Sequence, residues 1–277
     1  MNDAVLFVVV YPGCEAFLQD FFHSLEMQTV KDFDLVIVND GISLDLLNNI
    51  PFNYKLIDGC GSIAKNREIG INVSKELGYK YLILCDADDY FHCCRVEKIL
   101  SGLDAYDCIV HDVDIVSSTG DIIYHNYFQL SHDIPAVLPK NYLSEKNICG
   151  FSNCGINIKK IPQQYFPEEL KIVDWFLFSN LINSSFRIGF LNESLTFYRQ
   201  HGGNMIGIDN FTINQFRELL SLKINHYNLM RKGNQNYQGL YEKYLKMLSC
   251  PDNIIQNSII ENRNKINNPL WWENITI

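Results

Sequence analysis

Four short apolar segments alternate with amphipathic segments in the first ninety residues, and this alternation constrains the fold more than any other feature. The apolar segments are Val5–Val10, Asp34–Asn39, Tyr54–Ile57 and Tyr81–Cys85. Apolar residues on both faces of a strand are typical of a sheet that is covered on both sides. We therefore predict an α/β fold with a Rossmann-like, mostly parallel sheet flanked by helices.

The other helices and strands are predicted from the spacing of apolar residues and from residues that begin or end an element. Helical spacing predicts helices over Glu15–Met27 and Ile63–Leu77, the second with Ser62 as its cap and Gly78 as its stop. Further elements are predicted as the strands Cys108–Val116, Ile122–Phe128, Gly155–Ile158, Phe186–Phe190 and Leu195–Tyr198 and the helices Val96–Leu103 and Lys171–Leu181. From about residue 210 onward the pattern is helical.

Three carboxylates, Asp86, Asp88 and Asp89, follow the fourth apolar segment. Ligands bind beyond the carboxyl ends of the strands in open α/β sheets. Carboxylates gathered there repel one another unless a cation, often with a phosphate ligand, neutralises them. The alternative is an acidic turn that caps the next helix, since Asp is a favoured cap. This short motif alone does not decide between the two.

Composition limits the class of protein. The chain has 277 residues, 47% of them hydrophobic, and its 23 basic and 32 acidic residues give a net charge of −9. This balance argues against a nucleic-acid binder, which needs a basic face. The first residues lack the basic start of a signal peptide, and the nine cysteines show no paired spacing. We expect a cytoplasmic protein with reduced thiols.

Several motifs in one order resemble the family 2 glycosyltransferases of the GT-A fold. They are Val8–Tyr11, Ser24–Thr29, Phe33–Gly41, Arg67–Gly70, Asp86–Asp89, Asp174-Trp175 and Tyr198–Asn204. The resemblance covers about residues 4–206. It implies a catalytic domain over residues 1–206, with a nucleotide-binding half to about residue 90 and an acceptor and catalytic half over 91–206. Residues 207–277 then form a helical C-terminal region.

The resemblance assigns residues to a nucleotide-sugar donor. It implies that Tyr11 stacks on the base, that Asp40 bonds the base and that Asp86 bonds the ribose. Arg67 corresponds to the family's arginine for base or phosphates, with Lys65 as the fallback. Each has a plain structural alternative: a strand-end aromatic, a tight turn or a solvated helix residue.

Two further residues assigned to the nucleotide-sugar donor lie near the end of the region that resembles the family. They are Arg199 and Asn204, which are expected to hold phosphate or close a loop. The chain also departs from the family pattern at two positions. Asn39 stands where the family usually has Asp, and Glu68 stands where it has Asn.

A divalent cation, Mn²⁺ or Mg²⁺, is the cofactor that the resemblance implies. Asp88 and Asp86 are its expected carboxylate ligands and His201 its third ligand; the alternative for His201 is an ordinary loop residue. A diphosphate leaving group accumulates negative charge as its sugar bond breaks, and a cation stabilises that charge. Oxygen and imidazole ligands suit both ions.

Asp174 matches the second acid of the family's Glu-Asp pair and is the expected general base. The alternative is a helix-starting Asp that caps the helix or complements its dipole. Val173 replaces the family's first acid. Removing a like charge is expected to lower the pKa of Asp174 relative to the usual pair, unless burial offsets the change.

The expected function is therefore an inverting, metal-dependent glycosyltransferase that uses a UDP-sugar and a glycan or lipid-linked acceptor. Its expected setting is bacterial surface-polysaccharide or lipopolysaccharide synthesis in the cytoplasm, at the inner face of the membrane. A sugar nucleotidyltransferase and a non-catalytic nucleotide-binding relative are the alternatives. The C-terminal helices are mildly basic, so they are candidates for membrane contact, for a homodimer interface or for a cap on the core.

Overall fold

A computed structural model of the chain describes residues 2–48, 50–130, 133–201 and 212–265, with side chains up to residue 261. Nine strands of these residues form one sheet in the order β3-β2-β1-β4-β8-β6-β9-β5, and β7 pairs with β6. The strands are β1 (Ala4–Val10), β2 (Phe33–Asn39), β3 (Tyr54–Asp58), β4 (Tyr81–Asp86), β5 (Tyr90–Phe91), β6 (Cys108–Val116), β7 (Ile122–Tyr124), β8 (Cys154–Asn157) and β9 (Ile188–Arg199).

Seven α-helices lie between and after these strands in the described residues. They are α1 (Leu18–Glu26), α2 (Ile63–Glu76), α3 (Arg95–Leu103), α4 (Val173–Asn183), α5 (Ile213–Met230), α6 (Gln235–Leu248) and α7 (Asp252–Lys265). The predicted signals for α2 are confirmed: the Ser62 side chain accepts a hydrogen bond from the Lys65 amide, and Gly78 follows the helix at a φ of 86°.

The predicted α/β fold is confirmed, and the sheet is mixed. Strands β1 to β4 pair in parallel, as the alternation with helices predicts. Beyond β4, strand β8 runs antiparallel to both β4 and β6, while β6 and β9 are parallel. The parallel character therefore belongs to the first ninety residues and to the β6–β9 pair.

Apolar side chains cover both faces of the sheet. Alternate residues of β1 enter two separate clusters, with Phe7 on one face and Leu6 on the other. Helices α2 and α4 contribute residues to the cluster of Phe7, and α1 and α3 contribute to the cluster of Leu6. This layering leaves the carboxyl ends of the parallel strands as the edge where polar side chains can meet.

Three predicted strands differ in the structure. Strand β7 ends at Tyr124 rather than at Phe128. The strand stops because Asn126 takes a left-handed φ of 49° and its amide donates a hydrogen bond to the Asp114 carboxylate. The two predicted strands between Phe186 and Tyr198 are one continuous strand, β9. A bulge in its pairing with β6 absorbs the polar residues that suggested a break.

The helical C-terminal region is confirmed over α5 to α7. These helices build their own apolar cluster, and Trp175 of α4 is fully buried in it. The helices therefore cap the chain's own core, while membrane contact and dimer formation stay predictions. No helix in the described ranges is long and apolar enough to cross a bilayer. The predicted boundary at 206 and 207 falls outside the described residues and stays a prediction.

Candidate functional site

The carboxyl ends of three parallel strands bring together the predicted donor residues. In the register of the sheet, Asn39 pairs with Val10, and Asp86 pairs with Val9. Tyr11 and Asp40 are the next residues along β1 and β2, so they lie at the same edge as Asp86. The sequence thus places the acidic turn, the aromatic and Asp40 at one site, as the resemblance implies.

Asp88 is the centre of the first group of contacts at this edge. One of its carboxylate oxygens, Oδ2, accepts a hydrogen bond from the Tyr11 hydroxyl at 3.0 Å. The same oxygen lies 2.9 Å from Nε2 of His201, which follows β9 after a single residue. The side chains of Asp88 and His201 are 12% and 13% exposed, so both are largely withdrawn from water but reachable from the cleft.

The Asp88–His201 pair fits a divalent cation only in part. A carboxylate oxygen and an imidazole nitrogen are suitable donors and converge here. No group of three or more His, Cys, Asp or Glu side chains able to hold a metal occurs in the part of the chain that the structure describes. Mg²⁺ commonly takes its remaining ligands from substrate phosphates and water, and a two-residue site suits that use.

Asp86 has a different partner. Its Oδ1 lies 2.5 Å from a guanidinium nitrogen, Nη2, of Arg67. Burial raises the pKa of Asp86, the Arg67 charge opposes this rise, and the neighbouring Asp88 adds to it. The Arg67 guanidinium lies 4.5 Å from the centre of the Phe151 ring. Its other terminal nitrogen, Nη1, is buried without a hydrogen-bond partner among the described residues, and it is therefore a donor available to an anion.

Asp40 is held by the loop that follows β3. Its Oδ1 accepts a hydrogen bond from the Gly61 amide at 2.7 Å. Gly59 approaches so closely that an added Cβ would lie 2.7 Å from the same oxygen. Asn39, the departure from the family pattern, accepts from the amides of Gly41 and Ile42 and donates to the Ile42 carbonyl. An Asp cannot make that last bond, because an ionised carboxylate only accepts.

Glu68, the second position at which the chain departs from the family pattern, also has a local role. Glu68 forms an ion pair with Lys65 at 3.0 Å and accepts a hydrogen bond from the Phe166 amide. It therefore ties α2 to the segment before α4. Of these two cationic residues of α2, Lys65 pairs with Glu68 and Arg67 reaches the acidic turn.

Asp89 does not cap the next helix, so the alternative reading of the acidic turn as a helix cap does not hold for this residue. Helix α3 has Cys94 at its cap position, without a side-chain cap bond. The Asp89 carboxylate is buried and accepts from the Ser152 hydroxyl and from the Arg199 amide. Burial, followed by the charges of Asp88 and Asp86, raises its pKa well above the usual value.

Arg199 lies in the protein interior rather than in the cleft. Its guanidinium donates to the Asp88 main-chain carbonyl, to the Ser118 carbonyl and to the Asp20 carboxylate. These contacts fix the end of β9, which lies just before His201, to the acidic turn. The phosphate role expected for Arg199 stays a prediction. Asn204, the other predicted phosphate residue, lies outside the described residues.

Asp174 lies in the first turn of α4 but is not its cap, since Ile172 holds that position. One oxygen, Oδ1, accepts from the Trp175 amide at 2.7 Å. Burial raises the pKa of Asp174 to about 6; the Asp86 charge adds to the rise, and a hydrogen bond from Asn147 opposes it. Burial is therefore the dominant influence on this pKa, and the lowering expected relative to the family's Glu-Asp pair stays a prediction.

Two contacts in this site were missed by sequence reasoning. Ser152 accepts a hydrogen bond from the Asp86 amide and donates to Asp89, which links the two ends of the acidic turn. Asn147 reaches Asp174 from a loop more than twenty residues earlier. No local pattern marks either residue. The aromatics of β7 and of the segment just after it belong to the core: Tyr127 and Phe128 are buried, and Tyr124 packs against the core.

Comparison with known protein families agrees with this geometry. The family model for glycosyl transferase family 2 matches residues 6–164, more than half of the chain. The chain belongs to glycosyl transferase family 2. The matched region contains the strand-end residues, Arg67 and the acidic turn. The glycosyltransferase class predicted from the motifs is thereby confirmed, while Asp174 and His201 lie beyond the matched region.

Solved structures support the same fold for this glycosyltransferase. One is TarS 1–349 of S. aureus in complex with UDP, with 15% identity, a TM-score of 0.59, and coverage of 88% of this chain and 71% of that one. Another is the mannosyltransferase PcManGT of Pyrobaculum calidifontis in complex with GDP-Man and Mn²⁺, with 9% identity, a TM-score of 0.58, and coverage of 94% and 73%. At these identities the likeness shows the fold. A search of curated protein sequences finds no match.

Proposed function

We propose that this chain is an inverting glycosyltransferase that moves a sugar from a nucleotide-sugar donor to an acceptor hydroxyl, with Asp174 as the general base. The observation that carries the proposal is the position and pKa of Asp174. It is a partly buried carboxylate on which the charges of Asp86 and Arg67 act, and its pKa is about 6. A base with a pKa near the working pH is both ionised and able to accept a proton.

The donor side follows from the contacts at the strand ends. We propose that Asp86 binds the ribose and that Asp40 and Tyr11 bind the base. The unpartnered nitrogen of Arg67 is suited to a phosphate oxygen. Asp88 and His201 are the residues proposed to hold Mn²⁺ or Mg²⁺ together with diphosphate oxygens. When bound, the ion supplies positive charge to the departing diphosphate.

The chemical step is a single displacement. Asp174 takes the proton of the acceptor hydroxyl while that oxygen forms a bond to the anomeric carbon. The bond between this carbon and the diphosphate oxygen breaks, and its electron pair stays with the nucleoside diphosphate. One displacement inverts the anomeric centre and needs one base. A retaining double displacement needs a further nucleophile, which the proposal does not require.

The donor nucleotide in this proposal is UDP. The family resemblance supports it, and among the structural neighbours TarS is described with UDP and with UDP-GlcNAc. PcManGT is described with GDP-Man, so GDP-sugars belong in the same test. For the acceptor we propose a glycan or lipid-linked hydroxyl of a bacterial surface polysaccharide or lipopolysaccharide. The family resemblance is its support.

The proposal is tested by release of nucleoside diphosphate from a panel of UDP- and GDP-sugars in the presence of Mn²⁺. Release with wild-type protein that is lost in Asp174→Asn, at unchanged UDP affinity, supports the proposal. Asp34→Asn is the matched control. Asp34 is a buried carboxylate that also has hydrogen-bond partners, but it lies at the amino end of β2, opposite the site.

Other outcomes separate the alternatives. Release of pyrophosphate with sugar phosphate and nucleoside triphosphate indicates a nucleotidyltransferase. Nucleotide binding without turnover of any donor indicates a non-catalytic relative. Near-normal turnover in Asp174→Asn removes Asp174 from the role of base, whatever the donor.

A further inference from the structure

Tyr198 is a residue of β9 that faces the acidic turn. Its ring packs against the core cluster on the α2 and α4 face of the sheet. The next amide, that of Arg199, donates to Asp89 Oδ1 at 2.7 Å. Two residues earlier, on the same face of the strand, the Thr196 hydroxyl donates to the Ser152 carbonyl at 2.6 Å. Both contacts fix Tyr198 beside the turn that carries Asp88.

The charges of the site act on the Tyr198 phenol. Its pKa is raised well above the usual value, by burial first and then by the charges of Asp89, Asp88, Asp86 and Asp174, in that order. This agrees with the contacts that place the β9 backbone beside the acidic turn. The phenol keeps its proton at every working pH, so its O–H is a permanent donor.

The Tyr198 hydroxyl makes no hydrogen bond to any residue in the described part of the chain, and the Tyr198 side chain is partly rather than fully buried. Two other donors nearby are engaged, since the Tyr11 hydroxyl donates to Asp88 and Arg67 Nη2 donates to Asp86. Arg67 Nη1 and the Tyr198 hydroxyl are therefore the donors left for an anion. The carboxylates of the acidic turn only accept hydrogen bonds. A negatively charged diphosphate that binds beside them therefore needs hydrogen-bond donors that are not already engaged.

We propose that the Tyr198 hydroxyl donates a hydrogen bond to the distal phosphate of the bound nucleoside diphosphate. This inference rests on the proposed function, because it assumes a nucleotide-sugar donor at the acidic turn. It adds a residue that contacts the leaving group. As the bond between sugar and phosphate breaks, the electron pair remains on a distal phosphate oxygen. A donor at that oxygen stabilises the growing charge.

Substitution of Tyr198 by Phe removes the hydroxyl and keeps the ring in the core. The test compares the affinities of UDP and UMP, and of GDP and GMP, by titration with Mn²⁺ present throughout. UMP and GMP lack the distal phosphate. We expect Tyr198→Phe to weaken binding of the diphosphate by about 10-fold or more, as for loss of a hydrogen bond to a charged group. Affinity for the monophosphate is expected to stay within about twofold.

Tyr90→Phe is the matched control. Tyr90 belongs to β5, which pairs with β9. Its ring stacks on the ring of Phe197, and the ring centroids are 4.6 Å apart. Phe197 points to the opposite face of β9 from Tyr198, because successive strand residues alternate. Tyr90→Phe therefore removes a phenol hydroxyl from the same pair of strands without removing a donor from the cleft, and we expect no selective loss of diphosphate affinity.

Four results overturn the inference. Equal weakening of diphosphate and monophosphate binding in Tyr198→Phe shows a structural role, and unchanged binding of both shows no role. If Tyr90→Phe produces the same selective loss, the effect does not arise in the cleft. If the wild-type protein binds neither UDP nor GDP, the proposed function itself fails and this inference fails with it. That result is visible before any variant is made.

Discussion

Replacing Asp174 by Asn is expected to make the protein more stable at neutral pH while it abolishes transfer. In the folded protein the pKa of Asp174 rises from 3.8 to about 6, chiefly because of burial. A raised carboxyl pKa means that the folded state holds the proton more tightly than the unfolded state. The stability from this protonation is complete below about pH 4 and is lost as the pH rises through about 6.

The size of the effect follows from the shift. A rise from 3.8 to about 6 corresponds to a cost of about 3 kcal/mol for the ionised carboxylate at pH 7. Asn carries no charge, and its carbonyl can still accept from the Trp175 amide. Part of the gain is lost, because Asn147 no longer faces a charged acceptor. We therefore expect Asp174→Asn to be about 1–3 kcal/mol more stable at pH 7.5.

Urea unfolding of both proteins at pH 4, 6 and 7.5 measures this difference directly. The gap in unfolding free energy is expected to open between pH 4 and 6 and to stay constant above. The control Asp34→Asn should instead lose about 1–2 kcal/mol, since it disturbs hydrogen bonds to Asn2 and Tyr79. Equal or lower stability of Asp174→Asn at every pH would refute the reasoning, because the carboxylate would then carry no burial cost.

Three further predictions concern the same region. The rate of transfer should rise with pH up to about 6 and level off above, as Asp174 ionises, and an acidic limb well above pH 7 would contradict the assignment. Arg67→Ala should weaken UDP binding by about 10- to 100-fold in calorimetry, because it removes the donor beside Asp86; unchanged affinity would exclude a phosphate contact. Gly70→Ala should lower the unfolding free energy by about 1–3 kcal/mol, because its Cβ would lie 2.0 Å from the Phe7 ring; a neutral effect would mean that α2 and β1 can separate without cost.

The first half of the fold was predictable because its signals are local. Each of the four apolar segments is a strand of the parallel group, with ends within two residues of the prediction. Ser62 and Gly78 mark the ends of α2 as their side-chain and backbone chemistry requires. Strand β9 was not predictable in the same way, because its continuity depends on a bulge against β6 that only the partner strand reveals.

The site shows the same division between local and distant causes. The edge position of Tyr11, Asp40 and Asp86 follows from strand ends alone. The role of Asp89 does not, because its partners Ser152 and Arg199 come from distant parts of the sequence.

Charge and burial account for the other properties of the site that could not be predicted from the sequence. The pKa of Asp174 depends on burial, which periodicity does not measure for a single polar residue. The substitution of Glu68 for the family's Asn likewise finds its reason in the Phe166 amide, almost a hundred residues later. Residues with long-range partners are therefore the ones for which the sequence left alternatives open.

A crystal structure with UDP and Mn²⁺ bound tests the central claim most directly. We expect the ribose at Asp86, the base beside Tyr11 and Asp40, and the metal on Asp88 and His201 with diphosphate oxygens completing its coordination. Nucleotide bound away from the carboxyl ends of β1, β2 and β4, or a metal that contacts neither Asp88 nor His201, would contradict it.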